Sequence, residues 1–342
     1  MVIYPTIECK DNTYFKVQSS HYTVDGFNGY FNAGTGFNIA LESPAVVSGE
    51  WLKIVSGNNF YIALKNDNTL WGWGFNFVST DSSSVFGNRF NNNPFLTVPT
   101  LIDDNKDWLD VAAGDNFFVA LKKTETEYLI LGRGDNSYQQ IGNQYYIDSD
   151  FLIVDRDDIN NIQPEIKACG NNLYYNLLRT SLNLTGEWYG RGDNSFKQLL
   201  DDNIACIVKT SIITDEKLVN NTVQIFPGNG YLIYKTKNNI YYGRGRNDNK
   251  QLIFNNELQM LNLTVLPLTG DFISMCLNNT TCVGVTRNRK IYLWGNDYSS
   301  QELREPHEIF EDDEWEQAIV SEKAIIALNT EGTIYMYGEL VT

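Results

Sequence analysis

Apolar residues in this chain come in short runs closed by turn-forming residues. Tyr61-Ile62-Ala63-Leu64 is followed by Asn66-Asp67-Asn68 and then by Thr69-Leu70-Trp71. Residues 235–242 and 327–335 repeat that order. The pattern predicts strand, tight turn, strand. Asn, Asp and Gly in the turns supply the positive φ that a two-residue hairpin needs. Aromatic and β-branched residues in the runs suit the pleated faces of sheets that pack on one another. No long stretch follows a period of 3.6, so helices are expected to be few. Residues 311–316 have room for one helical turn at most.

These hairpins recur in register with other marks. Gly134-Asp135-Asn136 is followed by Gln140, Gly192-Asp193-Asn194 by Gln198, Gly245-Arg246-Asn247 by Gln251, and Gly295-Asn296-Asp297 by Gln301. In all four the Gln stands six residues after the Gly. Gly74-Phe75-Asn76 has the turn without the Gln, Gly36-Phe37-Asn38 is a further copy, and Gly338 opens the last. Upstream lies a small residue before an apolar run, as in Ser56-Gly57-Asn58-Asn59-Phe60, Ala113-Gly114-Asp115-Asn116-Phe117 and Cys169-Gly170-Asn171-Asn172-Leu173. Pro227-Gly228-Asn229 and a degenerate Ser321 are later copies. Gly57 precedes Gly74 by 17 residues, as Gly228 precedes Gly245 and Ser321 precedes Gly338. Pro5, Pro99 and Pro306 stand 15 residues before Ser20, Gly114 and Ser321. Seven units result, with turns near residues 36, 74, 134, 192, 245, 295 and 338. Their spacing, 38 to 60 residues, and their short strands predict an all-β, seven-bladed β-propeller spanning residues 1–342 as a single domain.

In these marks the chain resembles the RCC1-like repeat family. That family's unit reads small-Gly-x-x-His, a strand, an acidic or Asn-Gly turn, a strand, then Trp-Gly-x-Asn-x-x-Gly-Gln-Leu-Gly. Trp73-Gly74-Phe75-Asn76 and Trp294-Gly295 keep the Trp-Gly core. Arg133-Gly134, Arg191-Gly192 and Arg244-Gly245 put Arg in place of Trp, and Phe60, Phe117, Leu173 and Tyr231 replace the His. Gln140-Ile141-Gly142, Gln198-Leu199 and Gln251-Leu252 match Gln-Leu-Gly. The resemblance covers nearly the whole chain. It implies a ring closed by N-terminal strand material that completes the last blade. The namesake members are nucleotide-exchange factors for Ran-type small GTPases, which they contact through acidic and His residues in hairpin tips together with a wedge loop. The corresponding tips here hold Asp67, Glu125, Asn238, Asn288 and Glu331, none of them His. The resemblance does not extend to the basic tail of those factors.

Composition narrows the function. Lys and Arg number 26 against 42 Asp and Glu, a net charge of −16. Such a surface repels phosphate backbones and anionic headgroups, so nucleic acid and membranes are not expected as partners. With two histidines, a His-rich metal centre is excluded, and a His-assisted nucleophile has only His21 or His307 to draw on. The five cysteines form no C-x-x-C, and their odd number suits reduced thiols in an intracellular protein. The first residues have neither a basic start nor an apolar run, so a signal peptide is not expected. No apolar stretch is long enough to span a bilayer. Asn-x-Thr triplets at Asn183 and Asn262 are expected by chance in so Asn-rich a chain.

Each candidate site carries a structural alternative. Arg133-Gly134-Asp135 and Arg191-Gly192-Asp193 spell the integrin tripeptide but sit inside repeat turns. An Arg in the place of a packed Trp must reach solvent or pair with a buried acid, and Asp135 and Asp193 are near in sequence. Acidic clusters at 103–110, 155–158, 201–202 and 311–316 lack the alternation and glycine of a calcium loop and read as solvated loops. The segments 81–97 and 143–165 are longer than hairpins need, with Phe86, Phe90, Phe95, Tyr145, Tyr146 and Phe151 as candidate anchors. The alternative is that they form the outermost strands of their blades. Gly57, Gly74, Gly114, Gly134, Gly192, Gly245, Gly295 and Gly338 are expected to be structural. The function expected is non-catalytic binding of a protein with a basic surface. It would use Asp67, Glu125, Asn238, Asn288, Glu331, Phe90 and Phe95, without cofactor or metal. A Ran-type exchange factor is the second reading. A glycan-binding propeller, drawing on the 20 Tyr and 7 Trp, is the third.

Overall fold

The computed structural model describes residues 7–10, 13–18, 21–26, 45–47, 49–76, 84–142, 146–147, 151–199, 204–298, 302–320 and 324–338. They divide into two compact units. The first takes in residues 1–4, 13–193 and 206–212, the second residues 5–12, 194–205 and 213–342.

Strand β1 (Ile7–Lys10) falls in the second unit. In the first unit β2 (Thr13–Gln18), β3 (His21–Gly26) and β4 (Ala45–Val47) form an antiparallel ladder. Three blades follow. The first orders β5 (Trp51–Gly57), β6 (Phe60–Lys65), β7 (Leu70–Phe75) and β8 (Phe95–Asp103). The second holds β9 (Trp108–Ala113), β10 (Phe117–Lys123), β11 (Glu127–Gly134), β12 (Tyr146–Ile147) and β13 (Phe151–Asp158), with β12 added outside β13. The third holds β14 (Glu165–Cys169), β15 (Asn172–Leu177), β16 (Glu187–Asp193) and β17 (Cys206–Ser211).

The second unit also carries three blades. One is β18 (Thr222–Gly228), β19 (Tyr231–Thr236), β20 (Tyr241–Arg246) and β21 (Gln259–Val265). The next is β22 (Phe272–Leu277), β23 (Thr281–Thr286), β24 (Ile291–Asp297) and β25 (Glu302–Ile309). The last has only β26 (Trp315–Val320), β27 (Ala324–Asn329) and β28 (Ile334–Gly338). One short 3-10 turn, Asn88–Phe90, interrupts the strands among the described residues.

The architecture is an all-β propeller, but among the described residues six blades are seen beside the N-terminal ladder, not the expected seven. The turn near Gly36 on which the seventh depended lies outside the described residues, as do Ser20 and Ser321. β1 lies against β26 in the same unit, yet the last sheet keeps three strands. The completion of that blade by N-terminal strand material is therefore not observed.

The second strand of each blade explains the apolar runs. β15, β19, β23 and β27 are buried at every residue. A strand in mid-blade is covered on both faces, so it reads as a continuous run rather than an alternation. The third and fourth strands slip register at the repeat glycine, between Gly72 and Gly74, Gly190 and Gly192, Gly243 and Gly245, and Leu293 and Gly295. A bulge at the same place in four blades adds local twist to each sheet. The segments expected as anchors or outer strands are placed as well. Residues 95–103 and 151–158 are β8 and β13, while Tyr145 lies outside the described residues.

Candidate functional site

The repeated polar residues turn inward. Gly74, Gly134, Gly192 and Gly245 have φ between 97° and 107°. A Cβ at Gly134 would stand 2.5 Å from the Asn116 carbonyl oxygen, and Asp135 N donates to that same oxygen at 2.9 Å. The glycine thus lets the turn after the first strand lie directly on the third. The Asn two residues on clamps the following loop. Asn247 Oδ1 accepts from Leu252 N and Ile253 N, and its Nδ2 donates to the carbonyls of Ile253 and Glu257. Asn136 and Asn194 accept from Ile141 N and Leu199 N in the same way. Gln140, Gln198 and Gln251 are fully buried. They accept from Tyr138 N, Phe196 N and Asn249 N at 3.0, 3.2 and 2.9 Å. Gln301 lies outside the described residues.

The arginines in the Trp positions are also internal. Arg133 is 5% exposed, sits 3.6 Å above the Phe151 ring and donates to the Phe86 carbonyl at 3.1 Å. Arg191 is 6% exposed and donates to the Val154 carbonyl at 2.7 Å and to the Tyr175 hydroxyl at 3.0 Å. That hydroxyl donates in turn to Asp155 at 2.8 Å, and Lys209 pairs with the same carboxylate. Burial pushes the Tyr175 phenol well above its usual range, so it stays a donor. The acid linked to Arg191 is thus Asp155, half-buried and reached through the Tyr175 hydroxyl. Arg244 is half-buried and reaches the Leu261 carbonyl. With both arginines enclosed, neither Arg-Gly-Asp triplet presents its cation to a partner.

The candidate anchors Phe90 and Phe95 are packed. Phe90 lies against the first blade's core under Arg89, and Phe95 stacks near Phe75 with ring centres 5.7 Å apart. Phe86 and Phe151 are buried. Beside them a cavity of about 270 Å³ is lined by Phe86, Arg89, Arg133, Asp103 and Asp104 among others. Arg89 is already committed to the Ile102 carbonyl at 2.7 Å, and Asp103 accepts from Asn105 and from the Trp108 indole.

What remains exposed is the set of hairpin tips between second and third strands. In the first unit these hold Asp67 and Glu125, both exposed. Asp67 accepts from the Thr69 hydroxyl at 2.6 Å, which holds its carboxyl below the usual carboxylate range. In the second unit the tips hold Asn238, Asn288 and Glu331, also exposed. Their surroundings differ from the acidic face expected. Asn288 sits between Arg287 and Arg289-Lys290. These pair with Asp271, Glu316 and Glu308. Lys235, just before Asn238, is buried on Asp271 at 2.5 Å. Lys235 and then Arg287 hold the Asp271 carboxyl below its usual range. The five tip residues are thus split between the units, two with three. One tip went unnoticed in the sequence, that between β15 and β16. Its signal was available: leucines inside a Ser/Thr/Asn turn at residues 180–185.

Comparison with known proteins agrees with the fold. The profile of the regulator of chromosome condensation (RCC1) repeat matches residues 51–79, the blade that opens with β5. No curated protein sequence matches the chain. Among solved structures, Prp20p from Saccharomyces cerevisiae is similar at 14% identity and TM-score 0.75, over 94% of this chain and 81% of that one. It was described with its binding to Gsp1p and histones. Human WBSCR16 is similar at 15% identity and TM-score 0.71, over 94% of this chain and 89% of that one. Yeast RCC1 (Prp20) bound to Kap60 matches at 14% identity and TM-score 0.74, over 98% of this chain and 80% of that one. At such identities the shared property is the fold.

Proposed function

With an RCC1-like β-propeller as the premise, we propose that this chain is a non-catalytic protein-binding module that works inside the cell on a partner with a basic surface. One observation carries the reading: the repeated polar residues are consumed by internal clamps, while Asp67, Glu125, Asn238, Asn288 and Glu331 are left exposed at the tips. Exposed acids on a rigid scaffold set on-rate and orientation. Affinity capture from native extract at low and high salt tests it. A retained protein whose binding falls with salt supports the reading, and an empty column at low salt rejects it.

An exchange factor for a Ran-type GTPase is the second reading. The likeness to Prp20p, described as binding Gsp1p, favours it. Release of labelled nucleotide from a small GTPase at no more than the intrinsic rate would reject it. For the glycan reading, the tryptophans are buried except half-buried Trp71, which leaves a platform to exposed tyrosines such as Tyr138 and Tyr335.

The same proposal treats the chain as one propeller domain closed by N-terminal strand material. Pro99 lies in β8 and Pro306 in β25, both outermost strands, and Pro5 carries the same mark. Two separate melting transitions, or a stability unchanged by deleting residues 1–12, would remove that part.

A further inference from the structure

Five of the hairpin tips are short and mostly polar, with Ile240 the one exposed apolar residue among them. The tip between β15 and β16 is longer, running from Leu178 to Gly186, and it displays leucines. Leu182 is 99% exposed and Leu184 64%. A leucine wholly in water is unusual on a folded surface, and two on one tip form a small apolar knob.

The knob is held in shape. Thr180 N donates to the Asn183 carbonyl at 3.0 Å, and Asn183 N returns the bond to the Thr180 carbonyl at 3.1 Å. The Thr185 hydroxyl donates to Asn183 Oδ1 at 2.8 Å, and Arg179 Nε to the Leu184 carbonyl at 3.2 Å. Asn176 from β15 donates to the Thr185 carbonyl at 2.7 Å. The base is tied down by Leu178 N, which donates to Asp157 at 2.9 Å, and by Ile162 N, which donates to the Arg179 carbonyl at 2.7 Å. Such a tip loses little conformational freedom when it docks.

We propose that residues 178–186 are a docking hairpin. Leu182 and Leu184 would enter an apolar pocket, rimmed by Lys and Arg, on a partner protein. The rim follows from charge. Asp157, Glu165 and Glu187 stand around the base, and the hairpin's one cation, Arg179, is already paired with Glu165 at 3.0 Å. A second copy of a chain carrying −16 would set acid against acid, and so would an anionic lipid surface. This inference rests on the protein-binding reading and names a surface for it.

The test replaces Leu182 with the photo-cross-linker p-benzoylphenylalanine in the full chain. A control chain carries it at Leu258, another exposed leucine. Both are irradiated in native extract, and the protein captured at 182 is purified and its affinity measured. The expected result is a partner captured at 182 and not at 258, with the cross-linked peptide in an apolar pocket flanked by basic residues. Its affinity should fall at least tenfold for Leu182→Ser with Leu184→Ser, and stay unchanged for Leu258→Ser. Unchanged melting of the double variant would show that the loss is not unfolding. A captured partner whose affinity ignores the serines overturns the hairpin assignment while protein binding stands. Cross-linking to a second copy of this chain also overturns it. A chain that captures nothing from either position removes the protein-binding reading as well.

Discussion

At one end of the third strand of each blade stands a glycine turn; at the other end stands a hairpin tip. The two ends differ in what repeats. Around Gly134, Gly192 and Gly245 the same Asn and Gln side chains recur, hydrogen-bonded to loop backbone, and all but half-buried Asn136 are buried. At the tips nothing recurs except the turn itself. Asp67 is acidic, Asn288 lies in an arginine-lysine run, and Leu182 is bare. Repetition therefore marks what each blade needs in order to close on its own loops. Variation marks where the chain is free to meet something else.

That contrast is open to direct attack. Gly134→Ala should do the most damage, since the new Cβ meets a backbone carbonyl at a φ of 104°. We expect a loss of about 3 kcal/mol or more in denaturant unfolding. A variant within about 0.5 kcal/mol of wild type would show that the turn relaxes. Asn247→Ala should come next. It strips the acceptor from Leu252 N and Ile253 N, and buried donors left unpaired lose roughly 1–3 kcal/mol each.

Lys235→Met lies between the two classes, because this lysine is buried in β19 just ahead of a tip. We expect a loss of about 1–2 kcal/mol at neutral pH. The pH dependence gives the sharper sign. The folded Asp271 carboxyl is held below its unfolded value by Lys235 and Arg287. Its contribution is therefore present above the unfolded pKa and lost as pH falls through the folded one. Wild type should lose stability on acidification below about pH 4, and the variant should lose less. Parallel curves would mean that Asp271 is held by Arg287 alone. Asp67→Asn with Glu125→Gln should barely move stability, by about 0.5 kcal/mol at most. The same pair should slow association with a basic partner at low salt, as stopped-flow mixing would show. Unchanged association would move attention from these tips to the leucine hairpin.

Much of this was legible along the chain. The Gly-x-Asn and Gln spacing predicted the turns because a clamp reaching five or six residues is a local interaction, written in local order. The apolar runs predicted strands, and the structure adds that those in mid-blade are buried on both faces. Less legible was the use of the arginines. Asp155 lies 36 positions before Arg191, so their link through Tyr175 appears in no local pattern. Phe90 and Phe95, candidate anchors by sequence, are half-buried, each with a ring face on its own blade, a placement that a run of aromatics does not reveal. The character of the second unit's tips was missed for a similar reason. Their cations are paired by acids from elsewhere in the chain, Asp271, Glu308 on β25 and Glu316 on β26.

The sequence by itself determined the class of fold and the glycine, asparagine and glutamine of the turns at Gly134, Gly192 and Gly245. Those depend on backbone conformation and on contacts a few residues apart. Only the tertiary structure decided which aromatics are buried, which acid serves Arg191, how the basic residues near Asn238 and Asn288 are neutralised, and that Leu182 stands in water. Each of these depends on which loops and blades meet, and the free energy of a side chain is set by those neighbours rather than by its place in the chain.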